Sequence, residues 1–306
     1  MRRQLLNVLL RSLVKPIWRQ SPSIERMRER AARVDHLLSR SVPQEAVTSE
    51  GLDGGPALTW AGRRERVAEG AVLYLHGGAF CVHLPLLYRD FCIDMARRTG
   101  LPVLLPDYRL APEHPAPAAL DDCEAAYRHL LGQTHAHRIV LVGDSAGGNL
   151  ALALMQRCKR VKLPLPAGAV LISPVTDFSG GGWSMHFNAR RDVMFTPDAQ
   201  AWVVGHYLPR MLADDPEVSP LFGDWKGLPP LRFHASSAEM LLDHSLRAVE
   251  RAQMEGVDAQ ATVWLDLPHV FALFGLLAEA GRCRAAMARF ITERLAIQAP
   301  RLTESG

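Results

Sequence analysis

The chain opens on two apolar stripes at helical spacing. Leu6, Leu9, Leu10, Leu13 and Ile17 share one face of a first helix, and Ile24, Met27, Ala31, Val34 and Leu38 share one face of a second. Between them Ser21 and Pro22 read as the N-cap and first-turn residues of the second helix. From about residue 45 the period changes. Short apolar runs at 71–75, 103–105, 139–142, 169–172, 231–234 and 261–265 read as strands, mostly buried, and stretches near 85–98, 118–131, 146–160, 238–255 and 270–296 read as helices. Strand and helix in alternation predict an α/β fold with a mostly parallel sheet flanked by helices. One segment breaks the alternation: Ser179-Gly180-Gly181-Gly182-Trp183 opens a stretch to about Pro216 that follows a strand without leading directly to the next. The pattern therefore divides into N-terminal helices (1–45), a first core part (46–178), an insertion (179–216) and a second core part (217–306). The helices and the insertion are expected to form a helical cap. For the N-terminal stripes the protein's own body is the preferred partner, ahead of a membrane surface or a second subunit.

Composition narrows the classes. With 306 residues, 48% hydrophobic and 22% charged, the chain can bury a large core, and a net charge of +3 without a dense basic run argues against nucleic acid. The five cysteines, Cys81, Cys92, Cys123, Cys158 and Cys283, are odd in number and lack metal-ligand spacing. Reduced thiols in a cytoplasmic protein are expected, three of them in the core. Arg2 and Arg3 before leucines imitate a secretory leader, but Asn7 and Arg11 interrupt the apolar run and no small-residue cleavage site follows.

Candidate chemistry gathers at strand ends. Gly143-Asp144-Ser145-Ala146-Gly147 stands between the run 139–142 and the helix former Leu150 to Met155, which is the context of a nucleophile elbow, a strained turn that lifts a serine hydroxyl out of the sheet. His76-Gly77-Gly78-Ala79-Phe80 follows another strand, where the N–H groups of Gly77 and Gly78, joined by that of Ala146, are expected to meet a carbonyl oxygen as an oxyanion hole. Such donors contribute about 3 to 4 kcal/mol each to transition-state stabilisation. His269 lies in the loop leaving the last strand, placed to act as base. Glu239 and Asp243 supply candidate acids between serine and histidine in chain order; Glu239, nearer the strand end, is the expected partner of His269, and Asp243 a loop-anchoring carboxylate.

These motifs, with Asp107-Tyr108-Arg109-Leu110-Ala111-Pro112-Glu113, Glu239 to Asp243 and Pro268-His269-Val270-Phe271, fall in one order over residues 71–296. In that order the chain resembles a microbial esterase or lipase of the hormone-sensitive-lipase family of α/β-hydrolases. The resemblance implies a serine carboxylesterase acting on short- to medium-chain esters through an acyl-enzyme, with a helical cap and no metal or organic cofactor. Residues 107–113 then read as a brace of the oxyanion loop.

Two departures bear on the substrate. Ala79 replaces the more usual third glycine of the oxyanion loop, and His83 to Tyr88 is more apolar than the family's stretch there. Candidate contacts with a small-molecule ester are Phe80, Asp144 and Val270 from the core and Trp183, Phe195 and Trp202 from the insertion. Met185, Phe187, Met194 and Val203 are further candidates for the lining of the lid. The same machinery serves a lactonase or an amide deacetylase, and a non-catalytic receptor on this fold is the third reading. The N-terminal helices leave a homodimer open.

Overall fold

The computed structural model describes residues 2–18, 22–39 and 47–296. Ser21 and the boundary at 45 lie outside them; the second long helix is capped instead by Ser23, whose side chain accepts from the Arg26 N–H.

Among the described residues eight strands form one sheet: β1 (Val47–Gly51), β2 (Ala57–Ala61), β3 (Ala71–Leu75), β4 (Val103–Asp107), β5 (Ile139–Asp144), β6 (Gly168–Ile172), β7 (Leu231–Ser236) and β8 (Ala259–Trp264). Their order is β1-β2-β4-β3-β5-β6-β7-β8, antiparallel on both sides of β2 and parallel from β4 to β8. The parallel part is the predicted one. The β1–β2 hairpin was not expected, because a strand reading Val-Thr-Ser-Glu-Gly on a sheet edge carries no apolar run to announce it.

Alternation along the strands splits the core. Leu73, Leu75, Leu141 and Leu171 face α5 (Ala118–Leu131), α6 (Ala146–Arg160) and α9 (Leu242–Met254). Val72, Tyr74, Val140 and Ile172 face α4 (Pro85–Thr99) and α10 (Ala278–Arg294). The last helix starts later than predicted. Val270 takes a left-handed φ of 49°, residues 271–273 form a 3-10 turn, and Arg284 holds the carbonyls of Ala272 and Leu273, so an apolar stretch with no polar face becomes a buried turn.

The N-terminal part forms α1 (Arg2–Leu13), α2 (Lys15–Trp18) and α3 (Ile24–Leu38), three pieces where two were expected, and the insertion carries α7 (Ser184–Phe187) and α8 (Asp198–Tyr207). These segments touch. Trp18 packs edge-on against Trp202 at 5.6 Å and tilted against Phe195 at 5.4 Å, and Trp202 Nε1 donates to the Pro22 carbonyl. All five cysteines are buried and unpaired. No helix among the described residues is long and apolar enough to cross a membrane.

Candidate active site

Ser145 sits between β5 and α6 with φ 52° and ψ −116°, an uncommon conformation for a side-chain-bearing residue and the one a nucleophile elbow imposes. The turn closes on glycine by necessity: a Cβ on Gly147 would lie 1.9 Å from the Leu75 carbonyl oxygen. Two residues of the neighbouring loop, Ala79 (φ 53°) and Phe80 (φ 60°), and Val270 beside His269 are also left-handed. Such conformations cost of order 1 to 3 kcal/mol each and persist only where surrounding structure enforces them. Here they surround one serine.

His269 Nδ1 lies 2.6 Å from Glu239 Oε2, both side chains buried. The other oxygen of Glu239 accepts from the Ser236 N–H at 2.7 Å, and the Ser236 hydroxyl donates to the Leu267 carbonyl at 2.6 Å, so the acid and histidine loops are pinned together. Asp243 is elsewhere; it accepts from the Ser184 N–H at 2.9 Å and anchors α7, the loop-anchoring role expected of it. A carboxylate at Nδ1 places the ring proton there and leaves Nε2 as the base. His269 Nε2 is buried without a hydrogen-bond partner among the described residues, and Phe195 presses edge-on against the ring at 4.8 Å. The Ser145 to Nε2 hydrogen bond is not formed in the structure; such bonds often close only around the substrate.

The oxyanion loop requires a correction. The Gly77 N–H donates to Asp144 Oδ1 at 2.9 Å and is not available to a substrate carbonyl. Asp144 accepts this N–H and the Tyr74 hydroxyl at 2.5 Å, and burial raises its carboxyl to about 6. The N–H groups of Gly78, Ala79 and Ala146 carry no hydrogen bond among the described residues. The N–H groups of this loop left open are thus those of Gly78 and Ala79, one residue along from the expected pair. Sequence reading missed Ala79 because a methyl was weighed as bulk rather than its N–H as a donor.

The brace is in place. Tyr108 donates to the His76 carbonyl at 2.7 Å and stacks on its ring at 4.1 Å. Arg28 of α3 donates to the carbonyls of Cys81 and Ala111 and forks onto Glu113, which it holds down at about 2. His76, His83 and Asp107 bring three potential metal-ligand atoms close together, but the two imidazoles stack at 4.5 Å and 21° and His76 Nδ1 faces the Gly77 carbonyl. Stacked rings direct their lone pairs side by side, so the trio does not converge on one ion.

Two apolar chambers meet at Ser145. The first is walled by Phe80, Phe178, Met185, Val203 and Leu241. The second is walled by Trp18, Val34, Leu84, Trp202 and Val270 and also contains His269. Phe195 and Ala79 belong to both. Of the predicted contacts Phe80, Asp144, Phe195, Trp202 and Val270 line a chamber; Met185, Met194 and Val203 do too. Trp183 does not. A helix as short as α7 buries one side only: Ser184 and Met185 turn inward, leaving Trp183 and Phe187 at 76% and 75% exposure. His244, unremarked in the sequence, lines the first chamber; its Nδ1 accepts from the Thr176 N–H, and burial lowers it to about 4, which keeps it neutral.

A sequence profile described as alpha/beta hydrolase fold matches residues 72–273. The chain is 37% identical over 224 residues to an esterase of Acinetobacter venetianus, covering 72% of this chain and 74% of that one. It superposes with a TM-score of 0.88 and 32% identity on a crystal structure of EstE5 soaked with p-nitrophenyl butyrate, covering 96% of this chain and 99% of that one. An esterase from the bacterial hormone-sensitive lipase family matches with a TM-score of 0.86 at 31% identity, over 96% and 98% of the two chains.

Proposed function

The chain belongs to the alpha/beta hydrolase fold family, among carboxylic ester hydrolases of the hormone-sensitive-lipase kind, and from that premise we propose that it is a serine esterase for short- to medium-chain esters. Ser145 is the nucleophile, His269 the base and Glu239 the acid. The observation that carries this reading is the buried 2.6 Å contact of Glu239 with His269 on the chamber that also contains Ser145. His269 takes the serine proton as Oγ attacks the carbonyl, and the oxyanion receives N–H bonds from Gly78, Ala79 and Ala146. Collapse returns the proton to the leaving alcohol, and water repeats the cycle on the acyl-enzyme.

The chambers divide the ester. A leaving oxygen must stand beside His269, which lines only the second chamber, so the alcohol occupies that one and the acyl chain the first. The Phe178, Met185, Val203 and Leu241 side chains that wall the first support short to medium acids. Two separate chambers favour an open-chain ester over a lactone, and the presence of serine, histidine and acid argues against a receptor. The cap, on this reading, is the N-terminal helices with the insertion. Five buried thiols support a reducing, cytoplasmic location. A phosphonate ester should label the Ser145 peptide, and a panel of p-nitrophenyl esters, lactones and acetamides should give turnover on the esters. A Ser145→Ala variant within tenfold of the parent would end the proposal.

A further inference from the structure

Helix α1 is apolar on two sides. Leu6 and Leu10 are buried in the body, whereas Leu5, Val8 and Leu13 stand 72%, 63% and 45% exposed. At helical spacing these three fall in one sector of about 140°. Leu265, at 75% exposure, precedes Asp266 and Leu267, which border one surface hollow together with Val8. An exposed apolar face of this extent on a short helix is unusual for a surface that meets only water.

The surrounding charge is one-sided. Residues 2–18 contain Arg2, Arg3, Arg11 and Lys15 and no acid. The Arg11 guanidinium reaches the carbonyls of Arg190 and Arg191 at 3.4 Å each, which brings those two residues to the same border. Among the described residues the carboxylates that border these two hollows are Asp266, paired with Arg191 at 2.5 Å, and Asp198 beside Arg11 and Lys15. Arg2, Arg3, Arg11, Arg190 and Arg191 therefore stand around the leucines against those two acids.

We propose that the outer face of α1, with Leu265, docks on an anionic membrane surface, the helix lying in the plane of the interface with its leucines in the headgroup boundary and its arginines on lipid phosphates. A second copy of the chain is a poorer occupant, because a two-fold interface would set the same arginines against each other. The inner side of this helix runs on into Leu10, Val14 and Ile17, which line the second chamber, so docking places that chamber next to the lipid. The inference does not depend on which residue attacks the ester.

Co-sedimentation of the full chain with phosphatidylcholine vesicles, with and without about 30% phosphatidylglycerol, reads this directly. The expected result is binding to the anionic vesicles only, reversed by high salt, and weakened at least about tenfold in a Leu5→Glu, Val8→Glu double variant. That variant should keep parental activity on soluble p-nitrophenyl butyrate, since neither side chain lines a chamber; if it fails to fold, Arg2→Glu with Arg3→Glu must show the same loss of binding. Equal binding to both vesicle types, no binding to either, or undiminished binding by the variants overturns the proposal. So does a concentration-dependent dimer in light scattering that the double variant abolishes, which would make this face an interface between copies.

Discussion

At the base of the site, buried atoms hold one another at 2.6 to 2.7 Å: His269 to Glu239, Glu239 to the Ser236 N–H, the Ser236 hydroxyl to the Leu267 carbonyl. The cover above is fastened differently. Lys15 Nζ reaches the carbonyls of Ala189 and Asp192, Trp202 reaches Pro22, and aromatic rings fill the rest. The base is tied by short links among strand ends that a parallel sheet already aligns, and the cover by long side chains spanning distant parts of the chain. Groups that must meet a developing charge within tenths of an ångström belong on the first kind of support. Walls that only need to fit an apolar chain can rest on the second.

Substitutions at the base should therefore act on turnover and those in the cover on choice of substrate. Ser145→Ala is the largest: kcat should fall by roughly four orders of magnitude or more, leaving only what binding and the oxyanion donors provide. Next comes Glu239→Gln, with about a thousandfold loss, against at most about a hundredfold for Asp243→Asn, whose carboxylate anchors α7. Steady-state kinetics on p-nitrophenyl butyrate, with folding checked by circular dichroism, ranks the two. In the cover, Val203→Trp should cut kcat/KM for hexanoate relative to acetate by about tenfold or more while leaving kcat on acetate within a few-fold, because it fills the first chamber without touching the base. An unchanged chain-length profile would erase the proposed division of labour.

The smallest effect is one of pH. Burial raises Asp144 from 3.8 to about 6 in the folded chain, so between those values the folded state holds a proton that the unfolded state has lost. This group's contribution is fully present below 3.8 and disappears as pH rises through 6. Thermal melts should show the parent gaining stability over Asp144→Asn as pH falls from 7 to 4, by on the order of 3 kcal/mol at most. A constant difference between the two proteins across that range would contradict the assignment.

The same contrast explains what could be read from the chain. Ser145, Glu239 and His269 could be singled out because each follows a strand of the parallel part of the sheet, β5, β7 and β8, on the loop that leaves it. Trp183 was misread because residue type alone does not say which side of a four-residue helix faces inward. Gly77 was misassigned for a nonlocal reason: its N–H is taken by Asp144, 67 positions away, a pairing that no spacing announces. His244 and Asp192 went unnoticed on similar grounds. Asp192 accepts from the nearby Met194 and Phe195 N–H groups and from the Met240 N–H 48 positions away, and this last contact, which ties the acid loop to the insertion, exists only in three dimensions.

Arg28 gives this a practical edge. It belongs to the cover, yet it holds the Cys81 and Ala111 carbonyls and Glu113, and so reaches the loop that carries the proposed oxyanion donors. Exchanging covers between relatives to change selectivity is therefore not a modular graft here. A donor helix arriving without a guanidinium at position 28 would bring its new walls and release the oxyanion loop at the same time, and a chimera made that way would be judged a poor binder when it had become a poor catalyst.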